Sequence, residues 1–184
     1  MKTILLIVGV LFLSTTFSQN QNLPRYNDES ETIMKNNILF SIENNQPITG
    51  TVYKKYQNGS LKIECYYKNG LKNGVFRTWY ENGNKHIEVS YINNVINGYS
   101  RKWYENGNIE METYNKNGLP NGNNKAWFEN GQLKIEYIME NGKPRGLIKT
   151  WYESGYKKSE KMVIDDKELY KKCWDESGNI KTCN

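Results

Sequence analysis

Five glutamates, Glu64, Glu88, Glu112, Glu136 and Glu160, stand 24 residues apart in this 184-residue chain. Carboxylates serve as general acids and bases, and glycosidases hold a pair of them about 5–9.5 Å apart. On every second strand of one sheet, neighbouring glutamates would be roughly 9.5 Å apart, so the spacing invites that chemistry. The residues opposite them argue otherwise. Arg77, Arg101, Lys125 and Lys149 each precede a glutamate by 11 residues, with Tyr53 in the corresponding place of the first copy. A carboxylate facing a cation keeps a low pKa. Arg77–Glu88, Arg101–Glu112, Lys125–Glu136 and Lys149–Glu160 therefore read as a structural ion ladder, and no residue is assigned to catalysis.

The other reactive side chains are few. His86 is the single histidine, on a charged and solvated face, and the hairpin register sets Cys65 on the opposite one. Cys65 reads as a small core residue, whereas Cys173 and Cys183 flank the last turn and are expected to form a disulfide. There is no Cys-x-x-Cys or histidine cluster, and Asp165-Asp166 reads as a loop acid pair, so no metal or other cofactor is expected. Recognition has a better candidate. Trp79, Trp103, Trp127 and Trp151 recur every 24 residues within W-Y-E-N-G, W-F-E-N-G and W-Y-E-S-G segments. Tryptophan dominates interface hot spots, so an exposed row of it could meet a partner protein or stack on sugar rings. The competing reading packs each ring on the aliphatic stems of lysines such as Lys62, Lys134 and Lys158.

What places these residues is a glycine clock. Gly50, Gly74, Gly98, Gly122 and Gly146 fall 24 residues apart, and nine residues after each come Gly59, Gly83, Gly107, Gly131 and Gly155. A fixed period in the range of about 20–50 residues marks a repeat architecture. With the first glycine as position zero, positions one to seven are rich in Val, Tyr, Phe, Trp and Thr and read as a strand. Asn-Gly at positions eight and nine predicts a type I′ turn, both residues at positive φ. A second strand follows over positions eleven to eighteen. Asn69-Gly70, Asn117-Gly118 and Asn141-Gly142 then end it, before a looser connection to the next glycine. In this register position three faces fourteen, four faces thirteen and six faces eleven. One face comes out mostly apolar, and the other carries the charges and the tryptophans. The expected fold is all-β: tandem 24-residue β-hairpin repeats forming one elongated, twisted antiparallel sheet.

The ends differ from the middle. Lys2, the apolar run from Ile4 to Leu13, and Thr16 and Ser18 read as an export signal over residues 1–18, cleaved after Ser18. The run is shorter than the ~20 residues of a membrane span. The mature chain is therefore expected to be secreted or periplasmic, with no membrane association beyond export. Residues 19–37 are a polar leader, expected to be poorly ordered or a short helix. The repeat domain is expected to run over 38–184, with a half repeat at 38–49, repeats starting at 50, 74, 98, 122 and 146, and a degenerate cap at 169–184. The formal net charge is +5, with Lys and Glu interleaved and no basic stripe, so no nucleic-acid partner is expected.

Trp/Tyr-Tyr-Glu-Asn-Gly, followed about ten residues later by Asn-Gly and a further glycine, resembles the MORN-repeat variant family of YwqK-type antitoxin proteins. The resemblance covers roughly Gly50 to Gly178. It implies an elongated sheet of successive hairpins with a binding or scaffolding role, and it brings no catalytic residue with it. The expected function is a non-catalytic protein-binding or scaffolding module outside the cytoplasm, immunity-like in kind, with a protein partner. The alternative is a glycan- or surface-binding module that uses the tryptophan row.

Overall fold

A computed structural model describes residues 23–183. The expected export signal, residues 1–18, lies outside them. The chain forms β1 (Arg25–Asn27), β2 (Thr32–Lys35), β3 (Ile38–Ser41), β4 (Gly50–Lys55), β5 (Leu61–Lys68), β6 (Leu71–Trp79), β7 (Lys85–Ile92) and β8 (Val95–Trp103). It continues with β9 (Ile109–Lys116), β10 (Leu119–Trp127), β11 (Leu133–Glu140), β12 (Lys143–Trp151), β13 (Lys157–Ile164), β14 (Lys167–Trp174) and β15 (Ile180–Lys181). β4 to β15 follow one another in a single antiparallel sheet, with β1 added in parallel beside β4 as the thirteenth strand. β2 and β3 form a separate hairpin.

The two turn series differ in kind, and this corrects the expected turn chemistry. The type I′ turns are the second series: Asn69-Gly70, Asn93-Asn94, Asn117-Gly118, Asn141-Gly142 and Asp165-Asp166 all have positive φ at both residues. They join strands directly, with Lys68 paired to Leu71, so the expected loose connection is strand. The first series is a type I turn closed by a glycine bulge. Gly83 alone has positive φ (89°), its N–H bonds the Tyr80 carbonyl at 3.0 Å, and the Tyr80 N–H bonds the Asn84 carbonyl at 2.8 Å. A three-residue loop of this kind is the next commonest hairpin after I′, and Asn-Gly serves both.

That extra loop residue is absorbed by a bulge one step up the strands. Thr78 pairs with Ile87 but Trp79 pairs with Lys85, which leaves His86 unopposed. Above the bulge the expected register holds, with Arg77 opposite Glu88 and Thr78 opposite Ile87. Below it the expectation fails, because position six faces ten and the tryptophan at position five faces eleven. Only Gly50 begins a strand; the later clock glycines lie inside β6, β8, β10 and β12. Cys65 pairs with Phe76 and Tyr67 with Lys72, so Gly74 sits in a bulge opposite Tyr66. Gly74, Gly98 and Gly122 there have φ of 117°, 110° and 116°, a region open to glycine and strained for other residues.

The leader and the supposed half repeat are corrected as well. Residues 25–27 and 32–35 are strands, not a helix, and 38–41 pairs with 32–35 instead of extending the repeat sheet. Together they lid one end of the sheet. Leu39, Ile48, Val52, Cys65 and Tyr67 form the buried core there, with Tyr26 and Phe76 against it. Ile48 is the most enclosed, at 1% exposure. Burial drives the Cys65 thiol up to about 11, so it stays protonated and inert. The rest of that face needs no lid, because its middle is polar instead of apolar. Asn115 and Asn124 are buried, and their amides donate to Ser100 Oγ and the Gly122 carbonyl, each at 2.9 Å. At the far end a disulfide joins Cys173 to Cys183, with Cα atoms 5.3 Å apart, and fastens β15 to β14.

Candidate binding face

Most of W-Y-E-N-G turns out to stitch one repeat to the next. The tyrosine at position six donates its hydroxyl to the carbonyl of the next repeat's tryptophan. Tyr56 reaches Trp79 at 2.7 Å, Tyr80 reaches Trp103 at 2.8 Å, and Tyr104 reaches Trp127 at 2.9 Å. The asparagine at position eight works twice. Asn82 accepts from its own turn at Asn84 N (2.9 Å) and donates to the Glu105 carbonyl of the next turn (3.1 Å). Asn106 and Asn130 repeat the pattern toward Glu129 and Glu153, each at 3.0 Å. One link is missing by sequence. Phe128 has no hydroxyl to offer Trp151. Phe128→Tyr is therefore expected to stabilise the chain, by about 0.5–1.5 kcal/mol for one added hydrogen bond. Denaturant unfolding beside Tyr104→Phe, expected to lose about as much, measures it.

The tryptophans line the same face as the ions, and all are half-buried. Lys85 Nζ lies 5.2 Å from the Trp103 ring centre and Lys157 Nζ 5.1 Å from that of Trp174. The lysines expected to cover them are elsewhere: Lys62, Lys134 and Lys158 sit over Tyr56, Phe128 and Tyr152. The bulge is the reason. It turns position twelve to the opposite face, where Lys102 pairs with Glu110 at 2.9 Å and His86 stacks on Tyr80 at 4.4 Å between ring centres. His86 thus shares the face of Cys65, contrary to the expected parity. Trp174 joins the row of Trp79, Trp103, Trp127 and Trp151, since Tyr152 donates to its carbonyl at 2.9 Å as the earlier tyrosines do. It was hidden because the last copy is one residue short.

The ladder extends further than its hairpins. Each glutamate after Glu64 faces a cation on both sides: Glu88 pairs in register with Arg77 and with Arg101, and Glu112 with Arg101 and Lys125. Glu88 accepts from Arg77 Nε at 3.0 Å and Lys85 Nζ at 3.2 Å, with Arg101 at 3.6 Å from its other oxygen. Arg101 Nε donates to Glu112 at 2.6 Å, and Lys125 lies 3.7 Å from Glu136. Lys149 stands in register between Glu136 and Glu160, but Glu160 takes its short contact from Lys157, at 2.9 Å. Where the first copy has Tyr53 instead of a cation, β1 supplies one: Arg25 crosses the Tyr53 ring and bonds Glu64 at 3.0 Å. Partial burial pushes Glu88 up, but the bonds from Arg77 and Lys85 outweigh it and hold the carboxyl below its ordinary range. The Lys157 bond lowers Glu160 in the same sense. A general acid needs the reverse shift.

A third row completes the face. Positions one and sixteen flank the ladder on the side away from the tryptophans, and there the copies differ. Position one holds Thr51, Val75, Tyr99, Asn123 and Leu147, and position sixteen holds Tyr66, Ser90, Tyr114, Ile138 and Met162. Tyr99 and Tyr114 are cross-strand partners with rings 5.2 Å apart, edge to face, and Arg101 lies 4.5 Å over Tyr99. They are 45% and 38% exposed, and Ile138 nearby is 49% exposed. Beside them is an open depression of about 370 Å³ lined by Tyr99, Glu112, Tyr114, Gly122, Asn123 and Lys125. Among the described residues no group of three His, Cys, Asp or Glu side chains could hold a metal ion.

One sheet of hairpins, stitched edge to edge by its own consensus and offering a patterned face, defines a β-repeat binding or scaffold protein. The chain belongs to the MORN repeat variant family: four tandem segments match it, residues 48–69, 72–93, 96–118 and 120–141, spanning half of the chain. The copy starting at Gly146 lies beyond those matches yet keeps the same turns and register. No curated protein matches the chain.

Proposed function

We propose that this chain is a non-catalytic protein-binding module working outside the cytoplasm, and that it binds through the third row of the ladder face. The observation that carries this reading is the division of labour between positions. The residues that stitch repeats together are nearly uniform from copy to copy, whereas positions one and sixteen vary and leave Tyr99, Tyr114 and Ile138 exposed. Repeat proteins present binding surfaces on extended faces of this kind. Tyrosine offers large, rigid contact area at low entropic cost. The leader composition of residues 1–18 supports an extracytoplasmic partner, which includes the target of an immunity-like protein.

The test is affinity capture by the mature chain from secreted and envelope fractions of its source, with the bound material analysed for protein and carbohydrate. Tyr99→Ala/Tyr114→Ala is expected to weaken capture at least about tenfold, at hot-spot scale, with little change in melting temperature. Trp103→Ala/Trp127→Ala is expected to lower the melting temperature instead. Unchanged capture by the tyrosine variant would remove the assignment. A second reading, glycan binding, is favoured by the depression beside the tyrosine pair, where Glu112, Asn123 and Lys125 could bond sugar hydroxyls. Carbohydrate instead of protein in the bound fraction would select it.

A further inference from the structure

The opposite face carries a second feature that the ladder does not explain. At the C-terminal end Lys161 and Lys171 face each other directly across β13 and β14, a like-charge pairing that costs stability. Lys161 is offset by Glu168 at 3.4 Å. Lys158, Lys171 and Lys181 are in no ion pair among the described residues, and all three line one cleft. Its remaining walls are Tyr152, Ser159, Cys173, Thr182 and Cys183, with no carboxylate among them. The cleft has a volume of about 170 Å³, the liquid share of about six waters.

The geometry of the cleft is set by three fixed parts. Lys158 Nζ and Lys181 Nζ lie 5.3 and 5.9 Å from the centre of the Tyr152 ring, so one aromatic gathers two ammonium groups. Tyr152 is itself anchored, donating its hydroxyl to the Trp174 carbonyl at 2.9 Å. Ser159 is held by Thr150, oxygen to oxygen at 2.7 Å. The Cys173–Cys183 disulfide brings Lys181 and Thr182 alongside Lys171 on β14. We propose that this cleft is an anion site for a tetrahedral oxyanion, a phosphate or sulfate group, bound by the three lysines with the Thr182 hydroxyl as a neutral donor. Convergent charge without a built-in counterion is the arrangement such a group requires. The disulfide makes the site dependent on an oxidising compartment.

The full chain is titrated with inorganic phosphate, inorganic sulfate and sodium acetate at constant ionic strength, followed by amide NMR shifts. Phosphate and sulfate are expected to give saturating shifts confined to Tyr152, Ser159, Lys171 and Thr182, with acetate much weaker. Lys171→Gln/Lys181→Gln keeps the aliphatic stems and is expected to weaken binding about tenfold or more. Cys173→Ala/Cys183→Ala, checked for retained shifts at Tyr99 and Tyr114, is expected to weaken it similarly. A short sulfated oligosaccharide is a separate arm: tighter binding than inorganic sulfate assigns the group to a polymer, equal binding to the free ion. Absence of saturation, shifts spread over all surface lysines, or equal response to acetate would overturn it.

Discussion

Gly70→Ala is expected to destabilise the chain by about 3 kcal/mol, while Gly118→Ala, at the same place of the same turn type, is expected to cost only about 1 kcal/mol. Both glycines have positive φ, 75° and 83°. That conformation alone is tolerable, since Asn94 and Asp166 occupy the equivalent position at 66° and 61°. The difference lies in what a methyl group would meet. At Gly118 it finds Val95 Cγ1 at 3.6 Å, an ordinary contact. At Gly70 it meets Ile38 Cγ2 at less than 2.5 Å and the Leu39 carbonyl oxygen at 2.7 Å. The Gly70 backbone also holds the lid, giving its N–H to Ile48 at 2.7 Å and taking that of Leu39 at 2.9 Å. Overpacking there separates the lid from the sheet and opens the core of Leu39, Ile48, Val52, Cys65 and Tyr67. Denaturant unfolding gives the energies. Alkylation of Cys65, inert in the native chain at 2% exposure, reports the opened lid.

Glu88→Gln is expected to cost about 2 kcal/mol, more than the same change at any other rung of the ladder. Its side chain is 16% exposed and stands among Arg77, Lys85 and Arg101, so its loss leaves three cations facing one another. Glu136, with one contact at 3.7 Å and 37% exposure, is expected to lose less than about 1 kcal/mol. The pH dependence follows from the depressed native pKa. The unfolded chain binds the Glu88 proton more readily than the native chain. Its contribution is therefore complete above the ordinary value of 4.5 and is lost as pH falls through the lower native one. Stability measured from pH 7 down to pH 3 is expected to fall less steeply in Glu88→Gln than in the native chain.

The repeat fold was legible because its signals are local and repeated. Gly-to-Gly spacing set the period, and the Arg77–Glu88 spacing tested the register independently. The Asn-Gly pairs marked where the chain turns, although the type I′ geometry belongs to Asn69-Gly70 and its equivalents and not to the series expected to have it. What failed to show was what depends on other strands. Asn82-Gly83 is compatible with both a two-residue and a three-residue loop, so the bulge at His86, and with it the lysine partners of the aromatics, was out of reach. Arg25 stands 39 residues from Glu64, and no periodicity ties them. The lid strands have no repeat to match. Trp174 was masked by a single missing residue, although its W-x-x-x-G spacing to Gly178 was a usable signal. The proposed binding row differs from copy to copy, so no periodic signal marks it. The shared residues hold the sheet, and among the variable ones Tyr99, Tyr114, Asn123 and Ile138 are exposed.

The most direct measurement is a footprint. The native chain, alone and with its captured ligand bound, is oxidised briefly with hydroxyl radicals and each side chain's labelling is read by mass spectrometry. Protection concentrated on Tyr99, Tyr114 and Ile138, with Tyr156 and Leu169 outside the row still labelled, is the expected result. Unchanged labelling of those three, with protection on the opposite face or along the turns, would contradict the assignment of the ladder face as the binding surface.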